Sequence, residues 1–116
     1  MENRHASRLT LQASTAETAS GNGAAVESGE YRDLLVTLNC TAASGTSPTL
    51  LVQLQVSDDG GTTWYNLPNG AFTQLTAVGT QVLQIDSAFG DTIRASWTIG
   101  GTTPSFTFAV KAVAKG

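Results

Sequence analysis

The residues most able to do chemistry lie together at Ser57-Asp58-Asp59-Gly60-Gly61-Thr62-Thr63-Trp64. This run fits Ser-x-Asp-x-Gly-x-Thr-Trp, the pattern called the Asp-box. Its physical logic is local. A strand over Leu50–Val56 must reverse into another at Trp64–Leu67, and the reversal leaves backbone N–H groups without partners. Asp59 can accept from those groups, as Asp does in Asx-turns. Gly61 supplies a positive φ. Trp64 is expected to fold beneath the turn and anchor it to the core. Ser57, Asp59, Gly61, Thr63 and Trp64 are therefore read as a structural turn.

The box recurs in sialidases and other β-propellers, where several blades each carry one. Here it occurs once, and 116 residues cannot supply six blades of about 40 residues. The arginine cluster that would grip a sugar carboxylate is missing as well, since the folded part holds only Arg32 and Arg94. The remaining carboxylates, Asp58, Asp86 and Asp91, could in principle join Asp59 in a glycosidase pair or a calcium site. All sit at turns, where turn geometry alone favours Asp. Trp64, Tyr65 and Tyr31 could stack on a sugar ring, which keeps a glycan-binding module as an alternative.

Cys40 and His5 are each the sole residue of their type. No internal disulfide can form, and a metal site or nucleophilic dyad would need two distant residues to meet. Cys40 is expected to pack as a small apolar residue and His5 to be solvated. Asn39-Cys40-Thr41 fits a glycosylation sequon, but no secretory signal accompanies it. The reading is a chain with no catalytic residues, no cofactor and no metal.

Charged residues make up only 13% of the chain and the net charge is −3, with the six cations Arg4, Arg8, Arg32, Arg94, Lys111 and Lys115 scattered. A nucleic-acid groove needs basic density, so nucleic acid is excluded as a partner. No apolar run approaches the roughly 20 residues of a membrane span, which excludes a membrane helix. Met1–Thr10 lacks the apolar stretch of a signal peptide, so use without Sec export is expected. So sparse a charge also tolerates close contact with neighbours, as an assembled protein requires.

The elements that must position these residues are strands. Leu34, Val36, Leu38 and Cys40 alternate with Leu35, Thr37 and Asn39, and Leu50, Val52, Leu54 and Val56 form a second apolar face. Val82–Asp86, Ile93–Ile99 and Phe106–Ala112 continue the period of two. Gly, Pro, Asn and Ser clusters punctuate the segments. The pattern predicts an all-β fold, an antiparallel β-sandwich of jelly-roll or immunoglobulin-like topology with about seven to nine strands. Ile93–Ile99 and Ser105–Val113 are expected to form a hairpin across Gly100–Pro104. Residues 1–29 read differently: one short strand over Arg8–Ser14, then mostly Ala, Ser, Thr, Gly and Glu. This gives an extended N-terminal arm over 1–29 and a sandwich domain over 30–116.

Val56-Ser-Asp-Asp-Gly-Gly-Thr-Thr-Trp-Tyr-Asn-Leu67, Phe72-Thr-Gln-Leu-Thr-Ala77, Ile93-Arg-Ala-Ser-Trp97 and Pro104-Ser-Phe-Thr-Phe-Ala-Val110 together resemble small proteins of tailed-bacteriophage structural gene clusters. The resemblance spans about residues 34 to 114. It implies a virion structural protein, foremost a capsid decoration (cement) protein on the head surface, made in the host cytoplasm and bound to the major capsid protein. A tail, neck or baseplate part is the alternative within that class. A homo-oligomer, such as a trimer, is expected. The shared positions are architectural, so no functional residue is carried over. The arm, through Arg4, Arg8, Leu9 and Leu11, is the expected contact with the capsid partner.

Overall fold

In the computed structural model, residues 6–27, 33–85 and 92–115 are described. They form seven strands and no helix: β1 (Ala6–Glu17), β2 (Gly21–Asn22), β3 (Val26–Glu27), β4 (Asp33–Ser57), β5 (Tyr65–Ala71), β6 (Gly79–Ile85) and β7 (Thr92–Lys115). All pairings are antiparallel.

Two strands dominate. β4 has 25 residues and β7 has 24, and they pair from Asp33↔Lys115 to Ser57↔Thr92. At about 3.3 Å per residue such a strand would run roughly 80 Å. The longest dimension of the molecule is 52 Å, so the ribbon bends. Trp97 and Phe108 show the same thing. Both lie on β7, eleven positions apart, a separation of about 36 Å on a straight strand. Their rings instead meet edge to face at 5.2 Å.

The bend lies where the register slips, between Ser44 and Thr49 on β4, opposite Gly100–Ser105 on β7. Gly45 and Gly101 adopt φ of 114° and 111°, and Ser47 and Thr103 sit at 49° and 46°. For the two residues with side chains this left-handed backbone costs on the order of 1–3 kcal/mol each. The segment between β1 and β2 turns the corner with them, held by Trp97 Nε1–H to the Ala19 carbonyl (3.1 Å) and Ile99 N–H to Ser20 Oγ (3.0 Å).

The bend converts one continuous sheet into two facing layers. One layer runs β1, the second half of β7, the first half of β4, then β6. The other runs β2 and β3, the first half of β7, the second half of β4, then β5. This strand order is that of a jelly roll, which decides between the two topologies the alternation allowed. Inward residues of both layers meet in one core: Leu34, Val36, Leu38 and Cys40 with Phe106, Phe108 and Val110 from one layer, against Leu50, Val52 and Leu54 with Ile93 and Trp97 from the other.

Each open side of the sandwich is closed by hydrogen bonds. On one side Ala24 N–H donates to the Leu11 carbonyl at 2.9 Å. A Cβ on Gly23 would come within 2.1 Å of that same carbonyl oxygen, so only glycine permits the approach. On the other side the Gln81 amide both donates to the Thr73 carbonyl and accepts from the Thr73 N–H, each at 2.8 Å.

Two expectations are corrected. Gly100–Pro104 is not a hairpin turn. The chain passes through it and continues as β7 in the other layer, because left-handed residues can serve a corner as well as a reversal. Residues 6–27 are not an arm apart from the domain. They pair with β7 along most of its length, since backbone pairing does not need a strongly apolar sequence. Leu11 is 0% exposed. Replacing it by alanine is expected to lower stability by about 2–5 kcal/mol. Urea unfolding would measure this, and a loss under 0.5 kcal/mol would mean that β1 is not part of the core.

Candidate functional site

The turn between β4 and β5 holds the single concentrated set of polar contacts that the sequence pointed to, and its hub is Ser57. This side chain is fully buried. Its hydroxyl donates to Asp59 Oδ1 at 2.7 Å and accepts from the N–H groups of Gly61 (2.9 Å) and Asp59 (3.3 Å). Asp59 Oδ1 also accepts from the N–H groups of Thr62 (3.1 Å) and Thr63 (3.0 Å). Gly60 and Gly61 take φ of 79° and 105°, which lets the N–H of Gly61 point back at Ser57. Thr63 takes part through its backbone N–H.

These contacts hold the Asp59 carboxyl well below the usual carboxylate range, the Thr63 N–H contributing most and the Ser57 hydroxyl next. An acid so firmly ionised, with one oxygen shared among three donors, is not placed to carry protons at neutral pH. The cluster orders the chain.

Trp64 departs from expectation. It does not reach the core but lies half-buried over the turn, its Nε1–H donating to the Gly61 carbonyl at 3.1 Å. The Arg94 guanidinium sits 4.2 Å from the centre of its ring. Arg94 Nε–H in turn donates to Gln55 Oε1 (2.9 Å), and Gln55 Nε2–H to Asn66 Oδ1 (3.1 Å). The result is a polar ladder across β7, β4 and β5 on the outer face of one layer. Sequence reasoning passed over Gln55, Asn66 and Arg94 because cross-strand partners are not encoded by local spacing. The ladder also bears on sugar stacking: Arg94 covers one face of Trp64, while Tyr65 is 55% exposed.

The other expected positions are scattered. Arg8 is exposed, Leu9 packs partly against the core and Leu11 is buried within it. Leu11 is therefore corrected from a partner contact to a core residue, because β1 turns it inward, while Leu9 packs partly against the core and also lines a surface groove. Arg4, His5, Tyr31, Arg32, Asp86 and Asp91 lie outside the described residues. Among the described residues no three His, Cys, Asp or Glu side chains come together as a metal site. Cys40 is buried, and burial pushes its thiol up from the ordinary value.

With the fold in place, comparison with known proteins is informative for architecture. No family model and no curated protein matches the chain. Among solved structures, the SPBc2 prophage-derived protein YomS is similar in fold, with a TM-score of 0.57 at 14% identity, covering 100% of this chain and 97% of that one. A chain from the disulfide-linked pili of Bacillus endospore appendages aligns at 15% identity over 97% of this chain and 83% of its own, with a TM-score of 0.43, too loose a likeness to build on.

Two measurements test the turn. Ser57→Ala strips a buried hub of three contacts and is expected to cost about 1–3 kcal/mol. Its urea midpoint should fall below that of Thr62→Ala, whose side chain has no such role. Because the folded state depresses the Asp59 pKa, its contribution is fully present above about pH 4. It is lost as pH falls further, towards the depressed value. Asp59→Asn keeps the acceptor oxygen but removes the titration, so its stability should fall less than that of the wild type between pH 5 and pH 2. Parallel acid profiles for the two would contradict the assignment.

Proposed function

We propose that this protein is a non-catalytic structural component of a bacteriophage particle, and within that class a capsid decoration protein that binds and stabilises the lattice of the major capsid protein. The observation that carries the reading is the fold likeness to a prophage-derived protein along the full length of both chains. The site supports it from the other direction. The one motif with concentrated chemistry spends its polar atoms on itself, leaving a scaffold whose surfaces are its working parts.

The surface best suited to a capsid contact is the outer face of β1, β7 and β4. A shallow groove of about 220 Å³ runs there, with Arg8, Leu9, Leu35, Thr37, Lys111 and Val113 among its lining residues. It combines an apolar floor with two cations and no carboxylate, on a chain of net charge −3. An acidic, partly apolar segment of a capsid subunit is the complementary partner. This keeps Arg8 and Leu9 in the contact while releasing the fully buried Leu11 from it.

The test is to mix the protein with empty expanded heads of its virus, pellet them and count the copies bound. Saturation at a fixed ratio to capsid subunits is expected, with reduced occupancy for the double variant Arg8→Glu/Lys111→Glu. No binding to heads would overturn the decoration reading, and binding to tails instead would move the protein to the tail, neck or baseplate. A change in Trp fluorescence with oligosaccharides would favour a glycan-binding module.

A further inference from the structure

A sandwich has open edges, and an open strand edge is a template for pairing with another chain unless the sequence blunts it. Three of the edges here are blunted. β1 slips register twice, between Thr10 and Gln12 and between Gln12 and Thr15, and carries the exposed charge of Arg8. β2 and β3 are two residues each. β5 contains Pro68 and slips register between its pairings with Gln53 and Gln55.

β6 has none of these devices. Gly79-Thr-Gln-Val-Leu-Gln-Ile85 contains no charge and no proline. It pairs with β4 in unbroken register from Leu34↔Ile85 to Cys40↔Gly79, and among the described residues it has no other strand partner. Its outward side chains are Thr80, Val82 and Gln84, and Val82 is 55% exposed. Gln81 and Leu83 point inward, and the Gln81 amide ties the strand to the Thr73 backbone.

We propose that β6 is a homodimer interface, on which the β6 strand of a second copy adds antiparallel about a two-fold axis at Val82. The sequence is self-complementary in that arrangement. Val82 faces its counterpart, Thr80 faces Gln84, and Gln81 faces Leu83, so no like charges are opposed anywhere. The two four-stranded layers would join into one eight-stranded sheet with an apolar pair at its centre. A second copy is a better occupant than a charged segment because the edge offers no ion to attract one. A two-fold edge contact also closes on itself and stops at two copies. The inference is independent of which part of a virion the protein serves.

Sedimentation equilibrium at tens of micromolar tests it. The wild type should weigh twice the 12.0 kDa of the chain. Val82→Lys and Val82→Glu each place like charges face to face, and each should sediment as a monomer with an unchanged far-ultraviolet circular dichroism spectrum. Mixing the two variants in equal amounts should restore the dimer, because Lys then faces Glu. The double variant Thr80→Lys/Gln84→Lys sets lysine against lysine on both sides of the axis and serves in the same way should a Val82 variant fail to fold. A wild-type monomer, a trimer, or dimers that persist in the folded lysine and glutamate variants alike would overturn the proposal.

Discussion

Everything in this molecule depends on one constraint: β4 and β7 stay hydrogen-bonded to each other while the pair turns from one layer into the next. Because the two strands bend together, their inner faces are brought to oppose each other without any loop to rejoin them. The core is the consequence. Trp97 from one half of β7 meets Phe108 from the other half at 5.2 Å, a contact worth about 0.5–1.5 kcal/mol beyond the area it buries. The strained residues Ser47 and Thr103 sit at the corner that makes this possible. Their cost is recovered in the burial on either side, where Leu38, Leu50, Phe106 and Val110 are fully enclosed.

The turn at Ser57–Trp64 follows from the same constraint. β4 ends at Ser57, the last residue paired to β7, and the chain must reverse there to supply the edge strand β5. With β7 holding one side of Ser57, its hydroxyl is available to gather the N–H groups of the turn. The ionised Asp59 then fixes the return path, and Arg94 from β7 lies over Trp64. A motif that in isolation suggests chemistry is thus explained as the means by which one corner of a sandwich is tied down.

Much of this was legible in the sequence. Alternation located the inward residues of β4 and of both halves of β7, and with them nearly all of the core. The polar logic of the turn could also be read, since Ser, Asp and Gly at that spacing have few other uses. Two things could not. Gly45–Pro48 and Gly100–Pro104 look like hairpin turns because a corner and a reversal both call for residues that accept a positive φ. Which one occurs depends on pairing between distant strands. β1 was legible only as the shorter strand Arg8–Ser14, and β2 and β3 not at all, for the opposite reason: their stability comes from backbone bonds to β7 and from single residues such as Leu11, not from a repeated apolar pattern. The same holds for Trp64, whose partner Arg94 lies thirty positions away and is brought near only by register.

The most direct test of the folded ribbon is a nuclear Overhauser spectrum of the isotope-labelled protein. It should show cross-peaks between the Trp97 and Phe108 rings together with backbone contacts between Thr46 and Thr102. Both sets in one species mean that β4 and β7 remain paired through the corner while their halves face each other. Ring contacts without the Thr46–Thr102 contacts, or strand contacts without those of the rings, would contradict the account.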